Sequence, residues 1–271
     1  MRKTIGSTVA VFVLVSLATA FAATAAPLAI KPGVTAEMKE LTRTVPPPKT
    51  ASASVLPAEI EIRFPELAAA GKDPAVGAIN KALLDRLLKM ADEESPSTIE
   101  QLAAAFVRKY EQSCREPESI GAWSLKFVAT IRHSDENLLS LEILQSVFTG
   151  GAHPNSSIEY VVFSLKTGQP IELTAIVPAA KAGELAKVGE KAFRTDRGLM
   201  PGESLEEAGF QFDGNTFALN DNFLVSPAGL EFCFNPYEIA PYAMGTTQIV
   251  IPWADLKGIV DPKGPAGPFV K

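Results

Sequence analysis

The sequence is poor in the residues that most often carry chemistry. Its 271 residues include two histidines, His133 and His153, and two cysteines, Cys114 and Cys233. Two histidines without H-x-x-x-H spacing exclude a histidine-rich zinc site, and two cysteines exclude a four-cysteine one. One histidine with two carboxylates is arithmetically open, but no spacing selects a set, so no metal and no cofactor are expected. There is no G-x-S-x-G elbow, phosphate loop, dinucleotide fingerprint or EF-hand loop. Basic residues are in deficit, 25 Lys+Arg against 31 Asp+Glu, which argues against nucleic acid as a general partner. Beyond the N-terminus no stretch approaches the roughly 18 apolar residues of a membrane span. Apolar residues are nevertheless 46% of the chain, enough for a substantial core.

The N-terminus is built differently. Arg2 and Lys3 precede an uncharged run from Val9 to Ala20, and Ala23-Thr24-Ala25 follows. A basic start, an apolar middle and a small-residue exit describe a Sec-type signal peptide over residues 1–25, with cleavage near Ala25. The alternative is an uncleaved anchor, but Thr, Ser, Gly and Ala dilute the stretch. Removing Arg2 and Lys3 takes the net charge from −6 to −8, and the product is expected to be periplasmic or secreted. Residues 26–57, with Pro46-Pro47-Pro48 and many Ser and Thr, read as a disordered tether.

Secondary-structure periods then become clear. Ile60, Ile62 and Phe64 alternate with charged residues as a strand. Asp73-Pro74 opens a helix with Val76, Ile79, Leu83 and Leu87 on one face, and Ser97 or Thr98 caps a second. From Trp123 the period is two: a hairpin turns at residues 134–137, and Ile158 to Leu165 adds a third strand. A helix over about 179–195 precedes short strands near 211–219, 222–225, 229–234 and 247–251, and a short helix begins at Trp253. The expectation is an α+β fold, an antiparallel sheet with helices packed on one face, as a monomer. It divides into modules at 58–150 and 151–258, with a Gly/Pro tail at 259–271.

No residue is assigned as catalytic. His133 lies at a hairpin tip and reads as a solvated turn residue. His153 is held between Gly150-Gly151 and Pro154, where a rigid loop presents its imidazole for binding or acid–base work, or simply hydrogen-bonds the turn. An even cysteine count in an exported chain suggests a Cys114–Cys233 disulfide, with two buried thiols as the alternative. Asn235-Pro236 initiates a turn into a loop where Tyr237 and Tyr242 offer amphipathic faces and Glu238 a charge, suited to sugar stacking or a protein contact. The alternative is that both tyrosines pack on the sheet. Gly245 releases that loop into the next strand.

Two motifs together, Thr149-Gly150-Gly151-Ala152-His153-Pro154-Asn155 and the run Gly229 to Gly245 followed by Val250-Ile251-Pro252, resemble the bacterial envelope family called domain of unknown function 3298 (DUF3298). The upstream part, Ile60 through Leu125, resembles the DUF4163/PdaC-like module usually paired with it. The family includes ectodomains of lysozyme-sensing anti-sigma factors and non-catalytic regions of peptidoglycan deacetylases. Sigma-factor control is not implied, because only a few residues precede the apolar run. Nor is deacetylation, because no separate Asp/His zinc domain follows. The resemblance implies an exported, non-enzymatic binding module whose ligand is a lysozyme-like hydrolase or peptidoglycan, with His153, Asn155, Tyr237, Glu238 and Tyr242 as candidate contacts. The competing readings are a wall-active enzyme using His153 and a secreted structural or host-interaction protein.

Overall fold

A computed structural model describes residues 27–91, 95–115 and 122–271. The expected signal peptide lies outside the described residues. The fold is α+β, as expected, and contains two sheets.

The larger sheet has six strands in sequence order. β1 (Leu28–Lys31) and β2 (Val34–Val45) lead into β3 (Ala58–Ala69). Helices α1 (Pro74–Leu88) and α2 (Ile99–Ser113) then cross over to β4 (Ser124–Ser134), which pairs with β3 in parallel. β5 (Leu138–Phe148) and β6 (Asn155–Ser164) complete an antiparallel meander. The parallel pair follows from the intervening helices, since a crossover returns the chain to the same end of the sheet. Pro65 interrupts nothing: β4 pairs only with Glu59 to Arg63, so no partner on that side needs the missing N–H.

Helix boundaries follow local chemistry. The Asp73 carboxylate accepts from the Ala75 and Val76 N–H groups, and Pro74 occupies the first turn. The Thr98 hydroxyl accepts from Gln101 N–H at the start of α2. Ile79, Leu83 and Leu87 pack with Ile60, Ile62, Phe127 and Ile143 in a first core under one face of the sheet.

The tether expectation is corrected. Residues 28–45 form β1 and β2, and β2 pairs with β3 along all of its twelve residues. Only Val34 and Ala36 of β2 are buried, so the hydrogen-bond ladder holds this strand rather than an apolar face.

Helix α3 (Ala182–Arg197) and strands β7 (Phe223–Val225), β8 (Gly229–Phe234) and β9 (Thr247–Pro252) surround a second core. Leu138, Tyr160 and Val162 of the first sheet also belong to it, so the meander carries apolar residues for both cores. Phe193 of α3 sits at its centre, with ring centroids 4.9 Å from Phe210 and 5.2 Å from Phe217. The strand expected at 211–219 is instead irregular around a 3-10 turn at Asp213–Asn215. Phe212 and Phe217 both turn toward Phe193, which period-two alternation does not allow. The helix expected at Trp253 is a single 3-10 turn, Trp253–Leu256.

The disulfide expectation is also corrected. Cys114 ends α2 in the first core and Cys233 lies on β8 in the second, both buried and unbonded. Burial, with the neighbouring Glu238 and Glu142 charges, pushes the Cys233 thiol up to about 12, which leaves almost no thiolate at neutral pH. Thiol alkylation of the native protein at pH 8, read by mass spectrometry, should therefore leave Cys233 unlabelled. Unfolding without reductant should expose two labelled sites per chain; an intact bridge would leave none.

His133 differs from expectation too. Its side chain is only 16% exposed, because the C-terminal segment places Phe269 edge-on at 5.4 Å. Phe269 is in turn stacked on Trp253. The Gly/Pro tail thus packs on the fold.

Candidate functional site

The two glycine- and tyrosine-bearing motifs meet. The His153 loop precedes β6, and the Tyr237–Tyr242 loop follows β8. Gly150 and Gly151 have φ of 96° and 103°, which turns the chain sharply after β5 and lifts His153 off the sheet. The imidazole stacks on Tyr242 with centroids 3.8 Å apart and planes 16° apart. Tyr237 leans over both rings, 6.3 Å from His153 and 5.7 Å from Tyr242.

Hydrogen bonds fix the arrangement. His153 Nδ1 lies 2.9 Å from the Pro154 carbonyl, which only accepts, so Nδ1 carries the proton in this contact. In the neutral ring Nε2 is then an acceptor, and the Tyr237 hydroxyl donates to it at 3.3 Å. The Tyr242 hydroxyl donates to the same Pro154 carbonyl at 3.5 Å. Among the described residues no carboxylate stands within ion-pair distance of His153. Its polar atoms are engaged by its own turn and by tyrosine.

Tyr237 is the strained member. It is 66% exposed and has φ of 70°, one of two non-glycine residues with positive φ among those described. A bulky side chain in this region is disfavoured by about 1–2 kcal/mol, and here it holds an aromatic face out to solvent. Glu238 is partly structural: its carboxylate accepts from Asn235 N–H at 2.9 Å and from the Asn220 amide. Asn155 opens β6 opposite Val147, exposed, and its side chain makes no hydrogen bond to another described residue. Gly245, with φ of 68°, leads the loop into β9.

Sequence reasoning missed what joins the two loops. The outer edge of β6 is capped by side-chain amides in place of a seventh strand. Asn222 accepts from Tyr160 N–H at 2.6 Å and donates to the Ile158 carbonyl at 2.8 Å. Asn235 accepts from Ile158 N–H at 2.7 Å and donates to the same carbonyl at 3.1 Å. A primary amide carries one acceptor and two donors in the geometry of a peptide group, so two asparagines reproduce a short piece of ladder. The Asn220-Asp221-Asn222 run before β7 was the only available sign. Beside this edge lies a groove of about 370 Å³ whose lining includes Glu159, Asp221 and Glu238.

Residues 176–254 match the family described as protein of unknown function, DUF3298. That stretch is similar to a DUF3298 domain. Upstream of it, residues 57–156 match the family described as deacetylase PdaC. A crystal structure of a DUF3298 family member from Bacteroides fragilis superposes with a TM-score of 0.70 at 19% identity, covering 87% of this chain and 97% of that one. A DUF3298 family protein from Pseudomonas aeruginosa gives 0.59 at 19% identity, covering 83% and 94%. At such identity these likenesses concern the fold. No curated protein matches the chain.

The DUF3298 match spans α3 and β7 to β9, including the tyrosine loop, while His153 falls within the PdaC match. The aromatic cluster therefore stands where the two matched regions touch. Among the described residues, no group of three or more His, Cys, Asp or Glu side chains is gathered to hold a metal ion. No described helix is long and apolar enough to cross a membrane.

Proposed function

We propose that this chain is an exported, non-catalytic binding module of the bacterial cell envelope, and that it grips a basic, lysozyme-like wall hydrolase through the His153–Tyr242–Tyr237 cluster. The observation that carries this reading is Tyr237: an exposed aromatic in a left-handed backbone, braced by a histidine stacked on a second tyrosine. Strain retained at an aromatic that stays mostly exposed is offset only in small part by its contacts with His153 and Tyr242, and it suits a preformed contact. Fixed tyrosines provide contact area at little entropy cost. The acidic groove beside the cluster and the mature charge of −8, the chain's −6 without Arg2 and Lys3, complement a cationic protein better than an anionic wall polymer.

The test is calorimetric titration of the mature chain with hen lysozyme and, separately, with purified peptidoglycan fragments. Lysozyme should bind, and raising salt from about 50 to 300 mM should weaken it roughly tenfold or more as screening shortens. Tyr237→Ala should weaken it about 30-fold, as removal of a central aromatic contact does. Tyr237→Gly should lose binding equally while leaving the melting temperature unchanged or higher, since glycine relieves the left-handed strain. Binding only to peptidoglycan would replace the partner, and lysozyme affinity unaffected by both substitutions would remove the site.

A further inference from the structure

The first core is not filled. Where α2 leaves the sheet, a cavity of about 250 Å³ opens between Leu102, Ala105, Phe106 and Lys109 of α2 and Trp123 and Thr149 at the ends of β4 and β5. The four helical residues stand at positions i, i+3, i+4 and i+7, so one stripe of α2 forms one wall. Trp123 closes the far side, its ring 5.7 Å from Phe106 and tilted by 56°. Engineered apolar cavities of about 150 Å³ stay dry and take up benzene, so this one has room for a ring with a substituent or a short acyl chain.

Among the described lining residues few side chains are polar. Lys109 ends the helical stripe, and among the described residues its ammonium has neither an ion pair nor a hydrogen bond. Thr149 adds a hydroxyl. Among the described lining residues, an apolar wall with one unpaired cation, a hydroxyl and the Trp123 indole N–H is the arrangement of a small-ligand site, in which a few polar groups fix orientation. The other partly buried basic side chains differ: Arg86 pairs with Glu159 and Arg132 with Glu231.

We infer that this cavity binds a small amphiphilic anion, an apolar body of about a ring or a medium acyl chain carrying one carboxylate, with the body between α2 and Trp123 and the carboxylate on Lys109. Burial of the body provides most of the affinity, and Lys109 selects the charged head. The site is separate from the aromatic cluster and does not depend on the partner proposed for it.

Octanoate and octan-1-ol are the probes, titrated calorimetrically into the mature chain. Octanoate should bind saturably with one site per chain and more tightly than the alcohol. Lys109→Met should weaken octanoate about tenfold and leave octan-1-ol unchanged. Ala105→Leu, which fills the cavity from its inner wall, should remove both. A second readout needs no variant: the sequence has two tryptophans, and octanoate should shift the Trp123 indole N–H resonance and leave Trp253 in place. No saturable binding up to the solubility limit overturns the proposal, as does binding that moves Trp253 instead of Trp123 or survives in a folded Ala105→Leu chain. Equal loss of acid and alcohol in Lys109→Met overturns the anionic head.

Discussion

Asn222→Ala is expected to lower the unfolding free energy by about 2–4 kcal/mol, which for a fold of this size shifts thermal melting by roughly 5–15 °C. Asn222 accepts from Tyr160 N–H and donates to the carbonyls of Ile158 and Cys233. The two carbonyls keep other donors, from Asn235 and Asn220. Tyr160 N–H keeps none among the described side chains, and an unsatisfied partly buried donor costs more than a hydrogen bond simply absent. Asn222→Asp separates these contributions. It keeps the acceptor but directs a carboxylate at carbonyl oxygens, so the folded-state pKa of the new acid rises. The resulting penalty is present at neutral pH and fades as pH falls and the acid becomes a donor. The Asn222→Asp variant should thus be destabilised at pH 7 and partly recovered near pH 4, relative to wild type at each pH. An alanine variant melting within a degree or two of wild type would show that the side-chain ladder does not hold the β6 edge. Because Asn235 caps the same edge two residues before Tyr237, the substitution should also loosen the aromatic cluster.

Legibility in the sequence tracked whether a signal was local. α1, α2 and the β4–β6 meander were readable because burial repeats at 3.6 or 2 residues within each segment. β2 was not, because Glu37, Met38 and Glu40 are not buried there and its stability resides in pairing with β3, a tertiary property. The 211–219 stretch failed differently: Phe212 and Phe217 gather around Phe193 on an irregular chain with no fixed period. For the cysteines, compartment and even count suggested a bridge, while their placement in separate cores depends on the topology. The candidate contacts were legible one by one, since a glycine-flanked histidine and a tyrosine-rich turn stand out by composition. Their stacking was not, because His153 and Tyr242 meet only after β6 and β8 have been brought side by side by Asn222 and Asn235.

Arg132→Met is expected to cost about 2–3 kcal/mol at pH 7, with a pH dependence that identifies the cause. A register shift in β4 between Ile131 and His133 directs Arg132 across to the second sheet, where it meets Glu231 at 3.0 Å and also pairs with Glu142. Burial alone would lower the Arg132 pKa, but the charges of Glu231 and then Glu142 outweigh it and raise the value. Breaking a fully buried pair costs about 3–5 kcal/mol; the Arg132 side chain is 34% exposed, so a figure at or below the lower end applies. The Glu231 side chain, only 9% exposed, is left as a buried carboxylate beside Glu142, and its folded-state pKa in the variant rises above the unfolded value. A raised carboxylate penalises the fold above its folded pKa, and the penalty disappears as pH falls below the unfolded value of about 4.3. The stability difference between wild type and Arg132→Met, measured by urea unfolding, should therefore shrink steadily from pH 7 to pH 4. Adding Glu231→Gln removes the more deeply buried of the two orphaned charges and should return most of the loss, leaving only the part-exposed Glu142 carboxylate without its partner. A difference that stays constant with pH and is not rescued by Glu231→Gln would mean that Arg132 holds the two sheets together through the packing of its methylene stem rather than its charge.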